Sequence, residues 1–279
     1  MNHLEFAFPA TDGLQLFGRQ WLPEGTAVGL LCLVHGFGEH SGRYHHVARA
    51  FNEAGVAVIA FDQRGHGRSA GKRGFTPSYD QSLVDIGTFI TEAHKRLSGV
   101  PTFLYGHSMG GSMVLNYTLR HKPKLQGVIA TSPWLRLTTP PPAAVVTAAR
   151  LISTVWRTFT ITNKFEDNLL SNDPEVDVQY KGDPLVHGQM SGKLFFGVNQ
   201  AGAWAIEHSA EFPVPLLLVH GEADPITSFA ASLDFVGRAP TATTTFQAWP
   251  NLLHETHNET SPQKEEVIAY NVAWVKGKC

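Results

Sequence analysis

Cysteine is nearly absent. The 279 residues hold two, Cys32 inside an apolar run and Cys279 at the last position, which is no disulfide framework and fits a reducing, cytoplasmic setting. Charge of one sign is missing as well: 22 Lys and Arg stand against 24 Asp and Glu, a net charge of −2, and neither sign forms a long run. The electrostatic footprint of a nucleic-acid binder is therefore absent, and the partner is expected to be a small molecule. No stretch reaches the roughly 18 uncharged apolar residues of a membrane-spanning helix. Residues 1–9 include Glu5 and no continuous apolar core behind basic residues, so they predict no secretory signal. What remains is 43% hydrophobic against 16% charged residues, too apolar for disorder and enough for one large core with an insertion.

Three apolar runs, at 28–34, 56–61 and 103–105, end in glycine-rich polar punctuation and read as buried strands. Stretches of helical period at 44–54 and 79–97 lie between them. This alternation predicts an α/β fold with a mostly parallel sheet covered on both faces. Further strands are expected at 127–131, 215–219 and 243–249, and an antiparallel hairpin at 4–8 and 14–21 around Thr11-Asp12-Gly13. The total is about eight strands. The interval 134–212 breaks the rhythm, because α/β connections usually run about 2 to 6 residues. It predicts a helical cap inserted into a core made of 1–133 and 213–279. Within it, 143–159 carries Val145, Val146, Ala149, Leu151, Ile152, Val155 and Trp156 among few charges, the pattern of a helix with a broad apolar face.

Gly106, Ser108 and Gly110 form G-x-S-x-G directly after a strand and before the helical stretch 113–119. Such a tight strand-to-helix turn needs small residues on either side and presents the serine hydroxyl at the helix N-terminus. Serine is a poor nucleophile until a histidine base, oriented by a carboxylate, takes its proton, and the expected chain order is Ser, Asp, His. Asp224 stands just beyond the strand at 215–219, with Glu222 as the rival carboxylate. His254 lies in the loop after the next strand, with His257 as its competitor. The developing oxyanion needs backbone donors. The turn after the first buried strand supplies Phe37, and the residue after the nucleophile is Met109.

Other chemistry fails on spacing. Gly65, Gly67 and Gly71 suggest a dinucleotide loop, but the third glycine is one residue late and no helix opens there. His254 and His257 stand three apart around Glu255, where a zinc helix of H-E-x-x-H type needs four. No metal and no organic cofactor are expected.

These residues resemble the α/β-hydrolases, and within them the monoglyceride lipase and lysophospholipase group of serine hydrolases. The likeness runs nearly end to end, through HGFGEHSGRY at 35–44, FDQRGHGRS at 61–69, the serine turn, and NDPEV at 172–176 with DPLV at 183–186. It implies an α/β-hydrolase fold with a lid and a carboxylic ester hydrolase that cleaves monoacylglycerols to fatty acid and glycerol through an acyl-enzyme. A lysophospholipase or broad carboxylesterase is the alternative. The implied triad is Ser108, Asp224 and His254, with Phe37 and Met109 as oxyanion donors. Glu39, Arg43 and His257 match residues that hold the glycerol head group in the resembled lipases. At Phe37 many members carry a small residue, so the acyl entrance is expected to be narrower here. A lipid substrate also implies peripheral contact with a lipid surface through the cap.

Overall fold

Val56–Asp62, Thr102–His107 and Gly127–Thr131 are strands buried at every position, which requires cover on both faces. The structure, a computed structural model, describes residues 2–156, 158–162 and 168–279, with 152–155 described by backbone alone. In chain order it contains β1 (Asn2–Pro9), β2 (Gln15–Leu22), β3 (Gly29–Val34), α1 (His45–Glu53), β4 (Val56–Asp62), α2 (Tyr79–Arg96), β5 (Thr102–His107), α3 (Met109–His121) and β6 (Gly127–Thr131). Then follow α4 (Ala143–Val155), β7 (Thr160–Thr162), α5 (Pro174–Gly182), β8 (Gln189–Ser191), α6 (Gly192–Glu207), β9 (Leu216–Gly221), α7 (Phe229–Val236), β10 (Thr244–Trp249) and α8 (Gln263–Lys276). Eight strands form one sheet in the order β1-β2-β4-β3-β5-β6-β9-β10. The pairs β1–β2 and β2–β4 are antiparallel and the other neighbours parallel. The expected α/β fold is thus found, with strand edges shifted by at most a few residues.

The period-2 pattern of the strands sorts side chains between two cores. Leu30, Cys32 and Val34 of β3 join the core under α2, α3, α6 and α7, through Phe89, Val114, Val198 and Phe235. Leu31 and Leu33 of the same strand join the opposite core under α1 and α8, through Phe51 and Ile268. From β3 the chain goes to β4 on one side and to β5 on the other. In such sheets ligands bind at this switch point, outside the carboxyl ends of the strands. Cys32 is buried and Cys279 exposed.

The segment between β6 and β9 holds α4, β7, α5, β8 and α6. Its parts pack differently. In α6, Leu194, Val198, Ala201, Ala205 and Ile206 are buried in the first core, and Ala201 O accepts from Asn116 Nδ2 of α3 at 3.1 Å. Gly202 lies so close to the Leu135 backbone that a Cβ would overlap its carbonyl. The packing therefore joins α6 to the core, although it falls inside the interval 134–212. Helix α4 stops at Val155, short of the expected 159, and turns outward, with Val145 54%, Leu151 67% and, just beyond it, Trp156 59% exposed. The side chains of Ile152 and Val155 lie outside the described residues. Among the described residues no helix is long and apolar enough to cross a membrane.

Candidate active site

The serine turn is built by backbone crowding. A Cβ on Gly106 would overlap Gly110 O, and one on Gly110 would overlap the carbonyls of Val34 and His35. Glycine at both positions lets β5, α3 and the end of β3 meet. Ser108 takes φ 54° and ψ −116°, a conformation that side-chain-bearing residues rarely adopt and that persists only when the surroundings hold it. Its amide donates to Thr131 O at 2.9 Å, and its carbonyl accepts from Ser112 N at 3.0 Å and Trp134 N at 2.9 Å.

At the end of β9, Asp224 is buried and surrounded by donors. Oδ1 accepts from the amides of Ile226 at 2.8 Å and Thr227 at 3.0 Å. Oδ2 lies 2.7 Å from His254 Nδ1, 2.7 Å from Thr227 Oγ1 and 3.1 Å from His220 Nε2. Burial alone would favour the protonated acid, but His254 and His220 outweigh it and hold the carboxyl well below its ordinary range. Burial also opposes charge on His254, yet Asp224 first, then Glu255 and Glu39, lift its pKa above 6.5. The rival Glu222 points to solvent. The contribution of His220 and Thr227 escaped the sequence reading, although His220 stands four residues before Asp224.

Ser108 and His254 both line one cavity of about 270 Å³. Among the described residues no hydrogen bond joins the Ser108 hydroxyl to His254. Such contacts are often long before substrate binds. The amides of Phe37 and Met109 have no intramolecular acceptor among the described residues, and both residues are buried. The Phe37 ring lines the cavity and is held edge-on by His66 at 5.9 Å and His187 at 6.0 Å. A larger hollow of about 610 Å³ beside Pro23, Arg49 and Glu53 contains none of these groups.

The cavity has two chemistries. Trp134, Leu137, Leu170, Met190, Phe195 and Ile226 supply apolar wall, whereas Glu39, Glu255 and Tyr180 supply polar wall. The three residues matched to a head-group pocket separate here. Glu39 lines the cavity, but Arg43 and His257 do not. Arg43 donates from Nη1 to Glu39 Oε2 and Glu255 Oε1 and from Nη2 to Glu255 Oε2, each at 2.7 Å. Its donors are turned onto the carboxylates from behind the wall. His257 is 1% exposed, stacks on Tyr44 at 5.1 Å and meets His107 edge-on at 4.9 Å. Burial, opposed by Glu255 and aided by His46, Arg43 and His254, pushes it down to about 3, so it is neutral. Neither ring nitrogen has a hydrogen-bond partner among the described residues. Glu255 went unassigned in the sequence because it was weighed only as part of a zinc spacing. Among the described residues no group of three His, Cys, Asp or Glu is placed to hold a metal ion.

The family described as Hydrolase_4, serine aminopeptidase S33, matches residues 25–261. A monoacylglycerol lipase of Mycolicibacterium smegmatis is 32% identical over 275 residues, covering 97% of this chain and 96% of that protein. An uncharacterized abhydrolase domain-containing protein of Dictyostelium discoideum is 40% identical over 262 residues; this chain spans 27% of its length, and the match covers 92% of this chain. The crystal structure of Paleococcus ferrophilus monoacylglycerol lipase superposes with a TM-score of 0.84 at 31% identity, over 100% of both chains. Sheet order and these matches define an α/β-hydrolase. The chain belongs to the Hydrolase_4 family, in the branch that includes monoacylglycerol lipases.

Proposed function

We propose that this protein is a carboxylic ester hydrolase that cleaves monoacylglycerols to a fatty acid and glycerol. The observation that carries this reading is a mostly apolar cavity whose wall also includes Glu39 and Glu255, with Ser108 and His254 lining the same space. Relatives named monoacylglycerol lipase that align over nearly their whole length support it.

In this reading His254 Nε2 takes the Ser108 proton as Oγ attacks the ester carbonyl, and the Phe37 and Met109 amides receive the oxyanion. His254 returns the proton to the leaving alkoxide, and water, activated by the same imidazole, releases the acid. Asp224 fixes the ring and stabilises its charged form without taking the proton. Glu39 faces the glycerol, while Arg43 orients the carboxylates from behind and His257 packs against Tyr44. The part of 134–212 that precedes α6 acts as the lid, since Leu170, Tyr180 and Met190 reach the cavity from it. The outward Val145, Leu151 and Trp156 give it a face for lipid surfaces.

The test is kcat/KM on monoacylglycerols of increasing chain length, beside lysophosphatidylcholine, a diacylglycerol, p-nitrophenyl esters and an alanine p-nitroanilide. A clear preference for monoacylglycerols supports the reading. Equal activity on every short ester makes the protein a general esterase, and preferential cleavage of the anilide makes it an aminopeptidase. Ser108→Ala should lower turnover by about 10⁴-fold or more and end labelling by a fluorophosphonate.

A further inference from the structure

Glu255 follows the base in sequence and, like Glu39, lines the cavity, and one Arg43 nitrogen holds both carboxylates together. Each carboxylate oxygen can accept two hydrogen bonds. Glu39 Oε1 is filled by the Gly36 amide at 2.6 Å and the Tyr44 hydroxyl at 2.7 Å. Glu255 Oε2 is filled by Arg43 Nη2 and Asn258 Nδ2, both at 2.7 Å. Glu39 Oε2 and Glu255 Oε1 are different. Each accepts one bond, from the same nitrogen, Arg43 Nη1, so each keeps one acceptor position and the two oxygens are neighbours. Two carboxylates against one guanidinium leave one negative charge at this wall. His107 and His257 do not cancel it, because burial keeps both neutral, and His254, whose pKa the same carboxylates help raise, must be neutral to act as the base. In so buried a place a second negative charge is repelled strongly.

We infer that Glu255 is a specificity-determining residue: with Glu39 it forms a paired-acceptor, net-negative seat that takes the hydroxyl-bearing leaving group of a neutral ester and rejects anionic leaving groups such as a glycerol phosphate. The inference rests on the proposed function for the direction in which the ester lies. Neighbouring acceptors suit two hydroxyls on adjacent carbons, whereas a phosphate brings oxygens that cannot donate and a charge of the wrong sign.

The experiment uses the full chain and three esters that share one acyl group: 1-octanoylglycerol, 1-octanoylglycerol 3-phosphate and p-nitrophenyl octanoate. The last has no hydroxyl to place and reports the serine machinery alone. The parent protein should prefer the glycerol ester over its phosphate by at least about 100-fold in kcat/KM, since like charges brought together cost several kcal/mol. Glu255→Gln should shrink that ratio by about tenfold, mainly through a gain on the phosphate ester. Equal rates on the two esters in the parent overturn the inference, as does an unchanged ratio in the variant. If Glu255→Gln does not fold, inhibition of p-nitrophenyl octanoate cleavage by free glycerol and glycerol 3-phosphate decides in the parent. Glycerol should inhibit at least about tenfold better, and equal inhibition overturns the seat. If the parent cleaves the p-nitrophenyl ester but not 1-octanoylglycerol, the monoacylglycerol reading fails, while the inhibition ratio still judges the seat.

Discussion

Two regions meet at Ser108 and are held differently. On the sheet side, Ser108 and Asp224 follow the fully buried strands β5 and β9, His254 follows the half-buried β10, and five donors converge on one Asp224 carboxylate. On the inserted side, α4 leaves Val145, Leu151 and Trp156 in solvent, and the short β7–β8 pair stands apart from the main sheet. The first arrangement fixes atoms to within a hydrogen-bond length, as proton transfer requires. The second leaves apolar side chains without cover from the sheet. The two regions are thus packed to unequal degrees.

The comparison breaks first if the sheet side proves tolerant. Asp224→Asn should lower kcat by about 10⁴-fold, because the amide would hold His254 in the wrong tautomer; steady-state kinetics on p-nitrophenyl butyrate would show it. Glycine substitutions sharpen the same contrast through stability. Gly110→Ala drives a methyl into two carbonyls and should cost about 3 kcal/mol or more in urea unfolding. Gly182→Ala, at the end of α5 with no atom within 4 Å, should be neutral or gain under about 1 kcal/mol.

Acid separates the regions next. His257 titrates at 6.5 when unfolded but is pushed down to about 3 when folded, so below pH 6.5 the unfolded chain binds the proton first. Its share of stability is complete above pH 6.5 and is lost as pH falls toward 3, by up to about 1.4 kcal/mol per unit. His257→Leu should flatten that part of the stability curve, measured by urea unfolding at stepped pH. Catalysis moves with the opposite histidine. The proposed base His254 would work only when neutral and its pKa is raised, so the acid limb of kcat/KM should lie above pH 6.5. The outward face of α4 gives a further, modest effect. Val145→Ser with Leu151→Ser should weaken binding to monoacylglycerol vesicles by roughly tenfold while hydrolysis of soluble p-nitrophenyl butyrate stays unchanged.

The middle of the sheet was legible because its central strands are buried on both faces and read as apolar runs, as at 127–131, which matches β6 residue for residue. Ser108, Asp224 and His254 were legible because each follows a strand in the expected order. What escaped depends on contacts between distant loops. Nothing local marks Glu255 as the partner of Arg43, and nothing local tells that α6 packs into the core while α4 faces out. The α4 end was overread because Trp156 and Phe159 continue the apolar composition past the last helical residue.

The Arg43–Glu255 clamp joins residues 212 positions apart. Its two ends are anchored to the loop that carries the Phe37 amide, through Glu39 and Gly36, and to the residue beside His254. A growing chain leaving the ribosome would already contain the strand, the turn and Ser108 while the guanidinium still lacked this counter-ion. The hydrolytic centre is consequently a late product of synthesis, completed by the strand pair β9–β10 and the loop behind it, and a half-made chain carries a serine with no base to awaken it.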